Sequence, residues 1–384
     1  MRRNMTAVML VCCLFITGCW NRVEMNELNF VIGAGIDVKD DEVQLIAQVA
    51  RPDVLAADAP QEKAYRTFTG TGKTIFDAIR DVTLRSPRKL FWGHHQVLLV
   101  SEKMAEEGLL ETLAFFARDH ETSRHVHIAI GEGEFKKLFT EHVYERSIPM
   151  MFLVPLMEGY KANAKTFAIK LHEFLKINST PGMCVSLPIV RLRQENGFNM
   201  YEMHGTALFN ENKMVGKLTP EETRGLLWLR DEVESAIIPM NITETAKEKD
   251  PLVQEVSFEV LSAKTKITAD GELKFTVKSE VDVSFGEDNF REEVPRSEER
   301  KIIKKMTDKA KKIIESDMKQ YVERSKEFTT DPAGFGRAMY RQKPNEWRKY
   351  EAIWCEKMYP QIEVTYDITV KKSGNMMLRD LDAQ

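Results

Sequence analysis

The sequence predicts an α+β, mixed α/β fold in which mixed and antiparallel sheets are flanked by helices. Three observations predict it. Between about residues 30 and 140, short apolar runs with strand character alternate with segments whose apolar residues recur at helical spacing. Between 253 and 285, two alternating runs flank the turn Ala269-Asp270-Gly271 and read as an antiparallel hairpin. From about Ser297 to Phe328 a long helical pattern follows, and a last alternating strand runs from Ile362 to Val370.

Taken in order, Phe30 to Asp37 and Glu42 to Val49 form a strand pair around Lys39-Asp40-Asp41. The second strand alternates Val43, Leu45, Ala47 and Val49 against Glu42, Gln44 and Gln48, which predicts one buried face. Arg51 to Gln61, with Pro52 and Pro60, is expected to be a loop. Tyr65 to Thr69 is a short strand, and Thr74 to Leu84 a helix with Ile75, Ala78, Ile79 and Val82 on one face. Gln96 to Val100 is a buried strand; Ser101 caps a helix carrying Met104, Leu109, Leu113 and Phe116. Val126 to Ile130 is another strand, followed by a helical turn over Glu134 to Phe139.

Phe198 to Lys217 reads as a hairpin turning at Asn210-Glu211-Asn212. Thr219-Pro220-Glu221-Glu222 combines a cap, a proline at the first helical position and acids in the first turn, so a helix starts there and runs to about Asp231. In the long helix, Ile302, Met306, Ala310, Ile313, Tyr321 and Phe328 form an apolar stripe. Arg300, Lys301, Lys304, Lys305, Lys309, Lys311 and Lys312 face only Asp308 in its first half. A basic face of this kind suits anionic lipid, but it is more commonly the solvated side of a surface helix.

The start of the chain carries an address. Arg2 and Arg3 precede an apolar stretch from about Ala7 to Ile16, and Gly18 stands directly before Cys19. At roughly 10 residues the stretch is too short for a membrane-spanning helix, which needs about 20. The segment 1–18 therefore reads as a lipoprotein signal peptide and Cys19 as the lipidated residue, an S-diacylglycerol cysteine with optional N-acylation. Two acyl chains suffice for stable attachment. Without residues 1–18 the chain has 366 residues, 53 basic and 59 acidic side chains and a net charge of −6. That mild acidity does not suggest nucleic acid and gives little general attraction to anionic lipid. Beyond Cys19 only Cys184 and Cys355 remain; a single disulfide between them is possible, yet two cysteines 171 positions apart make no disulfide framework.

The search for chemistry comes out empty. Gly70-Thr71-Gly72-Lys73-Thr74 opens a helix after a strand, but Thr67 stands where a phosphate-binding loop needs its first glycine. His94, His95, His120, His125 and His127 fall within 34 residues without an HExxH helix or a cysteine pair, so they are read as structural or surface residues rather than zinc ligands. No GxSxG is present, Cys184 has no neighbouring histidine in sequence, and Glu221 and Glu222 sit where a helix start wants acids. No catalytic residue, metal ligand or cofactor site is assigned.

Several blocks nevertheless resemble, in order, the C subunit of bacterial spore germinant receptors, the Ger(x)C lipoprotein family. They are Gly18-Cys19-Trp20-Asn21-Arg22 with Glu24, Asn26-Glu27-Leu28, Gly33-Ala34-Gly35-Ile36-Asp37, Gly93-His94-His95-Gln96-Val97, Ser101 to Ala105, Arg118-Asp119 and Thr219 to Trp228. Asp331-Pro332-Ala333-Gly334-Phe335-Gly336-Arg337, Pro344-Asn345-Glu346-Trp347 and Trp354 complete the series. Asn21 departs from the aspartate expected after the tryptophan. The resemblance implies a three-domain arrangement, here divided as 19–195, 196–250 and 251–384. It also implies a non-enzymatic, lipid-anchored subunit on the outer surface of the spore inner membrane, acting with a membrane-embedded A subunit and a transporter-like B subunit. The alternative is an extracytoplasmic solute-binding lipoprotein that captures the nutrient directly, which requires a deep polar cleft. Pro332 and the glycines around Phe335 predict a constrained turn that starts a helix. Trp347 and Trp354, 7 apart, are expected on one helical face, as packing residues if buried and as interface candidates if exposed.

Overall fold

Residues 24, 27–57, 63–119, 121–141, 143, 148–244, 252–288 and 296–373 are described by a computed structural model, and within them the strands assemble into two sheets. The first contains β1 (Leu28–Lys39), β2 (Glu42–Ala50), β3 (Tyr65–Gly72), β4 (Lys89–Phe91), β5 (Val97–Ser101), β6 (His127–Gly131), β7 (Ser186–Glu195), β8 (Phe198–Asn210) and β9 (Lys213–Leu218). Their spatial order is β3-β2-β1-β5-β6-β7-β8-β9, with β4 pairing alongside β1. The centre, β1-β5-β6-β7, is parallel, while β2-β3 and β8-β9 extend it antiparallel on either side. A parallel centre is covered on both faces, and every residue of β5 and β6 is accordingly buried.

The same cover explains a correction in β2. The alternation predicts one buried face, but Leu45, Ile46, Ala47 and Gln48 are all fully buried. Gln48 is tolerated because its amide donates to Phe139 O at 2.9 Å and accepts from Met150 N–H at 2.9 Å. The preceding turn matches its sequence: Asp40 and Asp41 both adopt positive φ, as a two-residue hairpin turn of type I′ requires.

Four further expectations change. The supposed loop after Arg51 contains a short helix, Pro52–Ala57, because proline suits a first helical position; Pro60 lies outside the described residues. The helix capped by Ser101 is two helices, Glu102–Glu107 and Leu110–Arg118, broken where Gly108 takes φ 148°. The second hairpin turns at Glu272 and Leu273, both at positive φ, so its strands extend through Ala269 to Gly271. Helices Pro149–Glu158 and Leu171–Asn178 occupy segments to which the sequence reading gives no element.

The second sheet runs β10 (Ile237–Glu244), β11 (Leu252–Gly271), β12 (Lys274–Asp288) and β13 (Glu363–Lys372). β13 pairs parallel to β12, and the crossover between them carries the long helix Arg296–Glu327. Of the predicted stripe, Met306, Ala310 and Tyr321 are fully buried and Ile313 and Phe328 half-buried; Ile314 and Met318 complete it. The side chain of Ile302 lies outside the described set.

One apolar cluster runs from Ile36, Leu98 and Ile128 in the first sheet, through Leu226 and Trp228, to Met318 and Tyr321 of the long helix and Phe258 and Phe275 of the second sheet. A second cluster, with Ile46, Leu99, Phe139 and Leu153, lies on the other side of the first sheet. The expected division at 195 falls in the turn Asn196-Gly197 between β7 and β8, with one sheet on both sides of it.

Candidate functional site

Cys19, the residue assigned to lipid, lies outside the described residues, as does His120. Among the described residues no helix is long and apolar enough to cross a membrane.

The glycine-rich segment is a packing device. Gly70 and Gly72 belong to β3, and a Cβ on Gly70 would stand 2.1 Å from Ala78 O of the adjoining helix. Thr74 caps that helix by accepting from Asp77 N–H at 3.2 Å.

The structure brings His94, His95, His125 and His127 to the walls of one shallow cavity of about 290 Å³, but each is engaged separately. The His94 ring packs against Phe30 and Phe91, and His125 against His172. His127 is buried at the start of β6, where desolvation pushes its pKa down. His95 is enclosed by Trp92 and Phe116, and its Nε2–H donates to Val97 O at 2.7 Å. No group of three or more histidine, cysteine or acidic side chains stands ready to hold a metal among the described residues.

Burial lowers the His95 pKa to about 4, from an ordinary value of 6.5. The unfolded chain therefore takes up a proton that the folded chain refuses. The stability this histidine contributes is complete above pH 6.5 and lost as pH falls toward 4, by roughly 3 kcal/mol. Denaturant unfolding at a series of pH values is expected to show that loss in the wild type. A flatter profile is expected in His95→Gln, and equal slopes would disprove the assignment.

Two aspartates organise the interior between the sheets. The helix Pro220–Arg230 starts with a reciprocal cap: Thr219 accepts from Glu222 N–H at 3.2 Å, and Glu222 accepts from Thr219 N–H at 2.8 Å. Glu221 and Glu222 therefore serve the helix start. One turn on, Arg224 grips Asp317 of the long helix with two bonds, 2.7 and 2.9 Å, and Trp228 Nε1–H reaches the same carboxylate at 3.3 Å. A Cβ on Gly225 would lie 2.1 Å from Asp317 O, so the two helices cross at a distance only glycine permits.

Asp331 is fully buried. Its Oδ1 accepts from Gly334 and Phe335 N–H at 2.8 and 3.1 Å; Oδ2 accepts from Gly336 N–H at 2.7 Å and Trp354 Nε1–H at 3.0 Å. Burial holds its pKa above the ordinary carboxylate value against the pull of these donors. Gly334 adopts φ 87°, and a Cβ on Gly336 would meet Trp354 Nε1 at 2.5 Å, so the predicted constrained turn is present and starts the helix Phe335–Gln342.

This turn is fastened to the first sheet. Cys184 N–H donates to Asp331 O at 3.0 Å, Arg337 N–H to Gly182 O at 2.9 Å, and Thr330 Oγ1–H to Phe209 O. Arg230 adds bonds of 2.9 Å each to Pro332 O and Ser186 Oγ. Trp347 and Trp354 are buried with ring centroids 5.5 Å apart, so both are packing residues. They sit on separate helical segments, Pro344–Tyr350 and Trp354–Met358, rather than one helix.

The basic side of the long helix is solvated: Lys301, Lys304, Lys305, Lys309 and Lys312 are exposed and edge a surface depression with Asn241. The sequence reading did not single out Asp317 and Gln48, whose partners are 93 and 102 residues away. For Asp331 a local signal existed, an aspartate followed by proline and two glycines.

The fold and its interior define an α+β protein whose buried polar groups bind its own parts together. Sequence comparison narrows the class. The family model "Spore germination protein N-terminal domain" matches residues 21–192, and "Spore germination B3/ GerAC like, C-terminal" matches 204–374. Spore germination protein B3 of Bacillus subtilis is 26% identical over 95% of this chain and 96% of its own length. Spore germination protein A3 of the same organism is 25% identical over 94% and 95%. A crystal structure of the GerBC protein shares the fold, with a TM-score of 0.52 at 20% identity, covering 92% of this chain and all of that one. The chain belongs to the Ger(x)C family of spore germination proteins.

Proposed function

We propose that this protein is the lipid-anchored C subunit of a spore nutrient receptor, a non-enzymatic component that acts with membrane A and B subunits to trigger germination. The observation that carries the reading is the succession of two spore germination family models over 21–192 and 204–374, in order in one chain. The segment ending in Gly18-Cys19 supports attachment through the cysteine to the outer surface of the spore inner membrane. In this reading residues 19–195, 196–250 and 251–384 are its three domains, the lipid sets their height above the bilayer and they contact the partner subunits.

The test is Cys19→Ala in the native chain. Membrane fractions of spores are expected to lose most of the protein, and germination with nutrient is expected to slow several-fold. Full germination by an unlipidated, soluble form would defeat the reading. Crosslinking the intact receptor in spore membranes would then map the faces that meet the A and B subunits. Calorimetry with amino acids and sugars tests the alternative, direct nutrient capture, which predicts a saturable heat from the isolated chain.

A further inference from the structure

Cys184 stands just before β7 and Cys355 in the helical turn Trp354–Met358, and their sulfurs lie 2.9 Å apart with both thiols reduced. The contact joins the portions of the chain matched by the two separate family models. It is also held from both sides by one residue. Asp331 O accepts the Cys184 N–H, while its carboxylate accepts the indole N–H of Trp354, the neighbour of Cys355. The backbone of Gly182 is packed so closely on Gly336 and Arg337 that a Cβ would stand 2.3 Å from Gly336 C. Neither sulfur can move far from the other without disturbing this buried turn.

We propose that Cys184 and Cys355 are a dithiol–disulfide site whose closure locks the entry to β7, in the middle of the first sheet, to the C-terminal part of the chain. A disulfide bond is about 2.05 Å long, so the sulfurs approach by less than about 1 Å to form it. Access exists: the pair borders a half-open cavity of about 270 Å³ with Asn178, Met183 and Glu351 on its wall, and Cys355 is the more exposed partner. The oxidant is a small-molecule or protein disulfide. One thiol of the pair, as thiolate, attacks one of its sulfurs and releases the first thiol, leaving a mixed disulfide. The other cysteine, having given its proton to solvent, then attacks the sulfur of the first and expels the second thiol. Two protein thiols are oxidised by two electrons, the oxidant's S–S bond is reduced to two thiols, and the two protons end on them.

The geometry stands by itself; the supply of oxidant rests on the proposed location outside the cytoplasm, where disulfides persist. The experiment uses the full chain extracted from spore membranes, alkylated with a mass tag under denaturing conditions, with and without prior reduction and after exposure to oxidised glutathione. A peptide linking Cys184 to Cys355, with both thiols refractory until reduced, is expected either on isolation or after the oxidant. Two thiols that remain fully alkylatable after oxidised glutathione would overturn the proposal. Cys184→Ser and Cys355→Ser should each abolish the linked peptide and leave one reactive thiol at the other position. Membrane fractionation in the same samples separates the two ideas: a linked but soluble protein overturns the anchor alone, and an anchored protein with inert thiols overturns the disulfide alone.

Discussion

Replacing Asp331 by alanine is expected to cost about 4 kcal/mol or more, enough to unfold a large fraction of the chain at physiological temperature. Four N–H groups converge on this carboxylate at 2.7 to 3.1 Å in a site without solvent. Truncation leaves all four without an acceptor, and each unsatisfied buried donor costs roughly 1–3 kcal/mol, less than additively because the turn relaxes. Asp331→Asn isolates the chemistry from the shape. Its carbonyl oxygen still accepts from two of the four donors, but its NH₂ group then faces two N–H groups. The asparagine variant is therefore expected to fall between alanine and wild type. Denaturant midpoints decide the matter: an asparagine variant as stable as wild type would mean that the second carboxylate oxygen contributes nothing.

The second large effect is expected at the helix crossing. Arg224→Ala strands the buried Asp317 without its cation and should destabilise by about 3–5 kcal/mol. The two side chains are only 11% and 10% exposed, so water replaces little of what is lost. Removing both partners is less damaging than removing one, because no unpaired charge remains; Arg224→Met with Asp317→Leu is expected to recover a substantial part of the loss. A double variant no better than the single one would assign the cost to packing of the guanidinium stem instead of to the stranded carboxylate. Trp228, which also reaches Asp317, supplies a fluorescence signal for the same unfolding measurements.

Much of what the chain states locally was legible before its structure, though the helix at Pro52–Ala57 and the turn at Glu272-Leu273 were not. The capped helix start at Thr219, the turn around Asp40-Asp41 and the alternation in β11 and β12 each depend on residues within a few positions of one another. The rest of what escaped is set mainly by distant partners. Gln48 reads as a solvent-facing strand residue because nothing nearby says that Phe139 and Met150 will close over it. The sequence allows a bridge between the two cysteines but cannot place them together, because their contact exists only where the Asp331 turn meets the start of β7. The family resemblance was legible because it lies in the order of blocks along the chain, and several of those blocks prove to be joints, with Arg224, Gly225 and Asp331 among them.

The fastening of residues 329–337 onto the first sheet also sets an order of assembly. A chain made from its N-terminus completes β9 more than a hundred residues before Asp331 exists. During that interval the bonds that Gly182 O, Phe209 O and the Cys184 N–H make to Arg337, Thr330 and Asp331 in the folded chain cannot form. The bond from Thr330 to Phe209 O closes a loop of 121 residues, and the neighbouring Arg337–Met183 contact one of 154, a topology that folds slowly because loop entropy is lost before the contacts form. The N-terminal half is therefore expected to gain these long-range bonds last, once residues 329–337 have been made. A chain cut short before residue 329 would never make them.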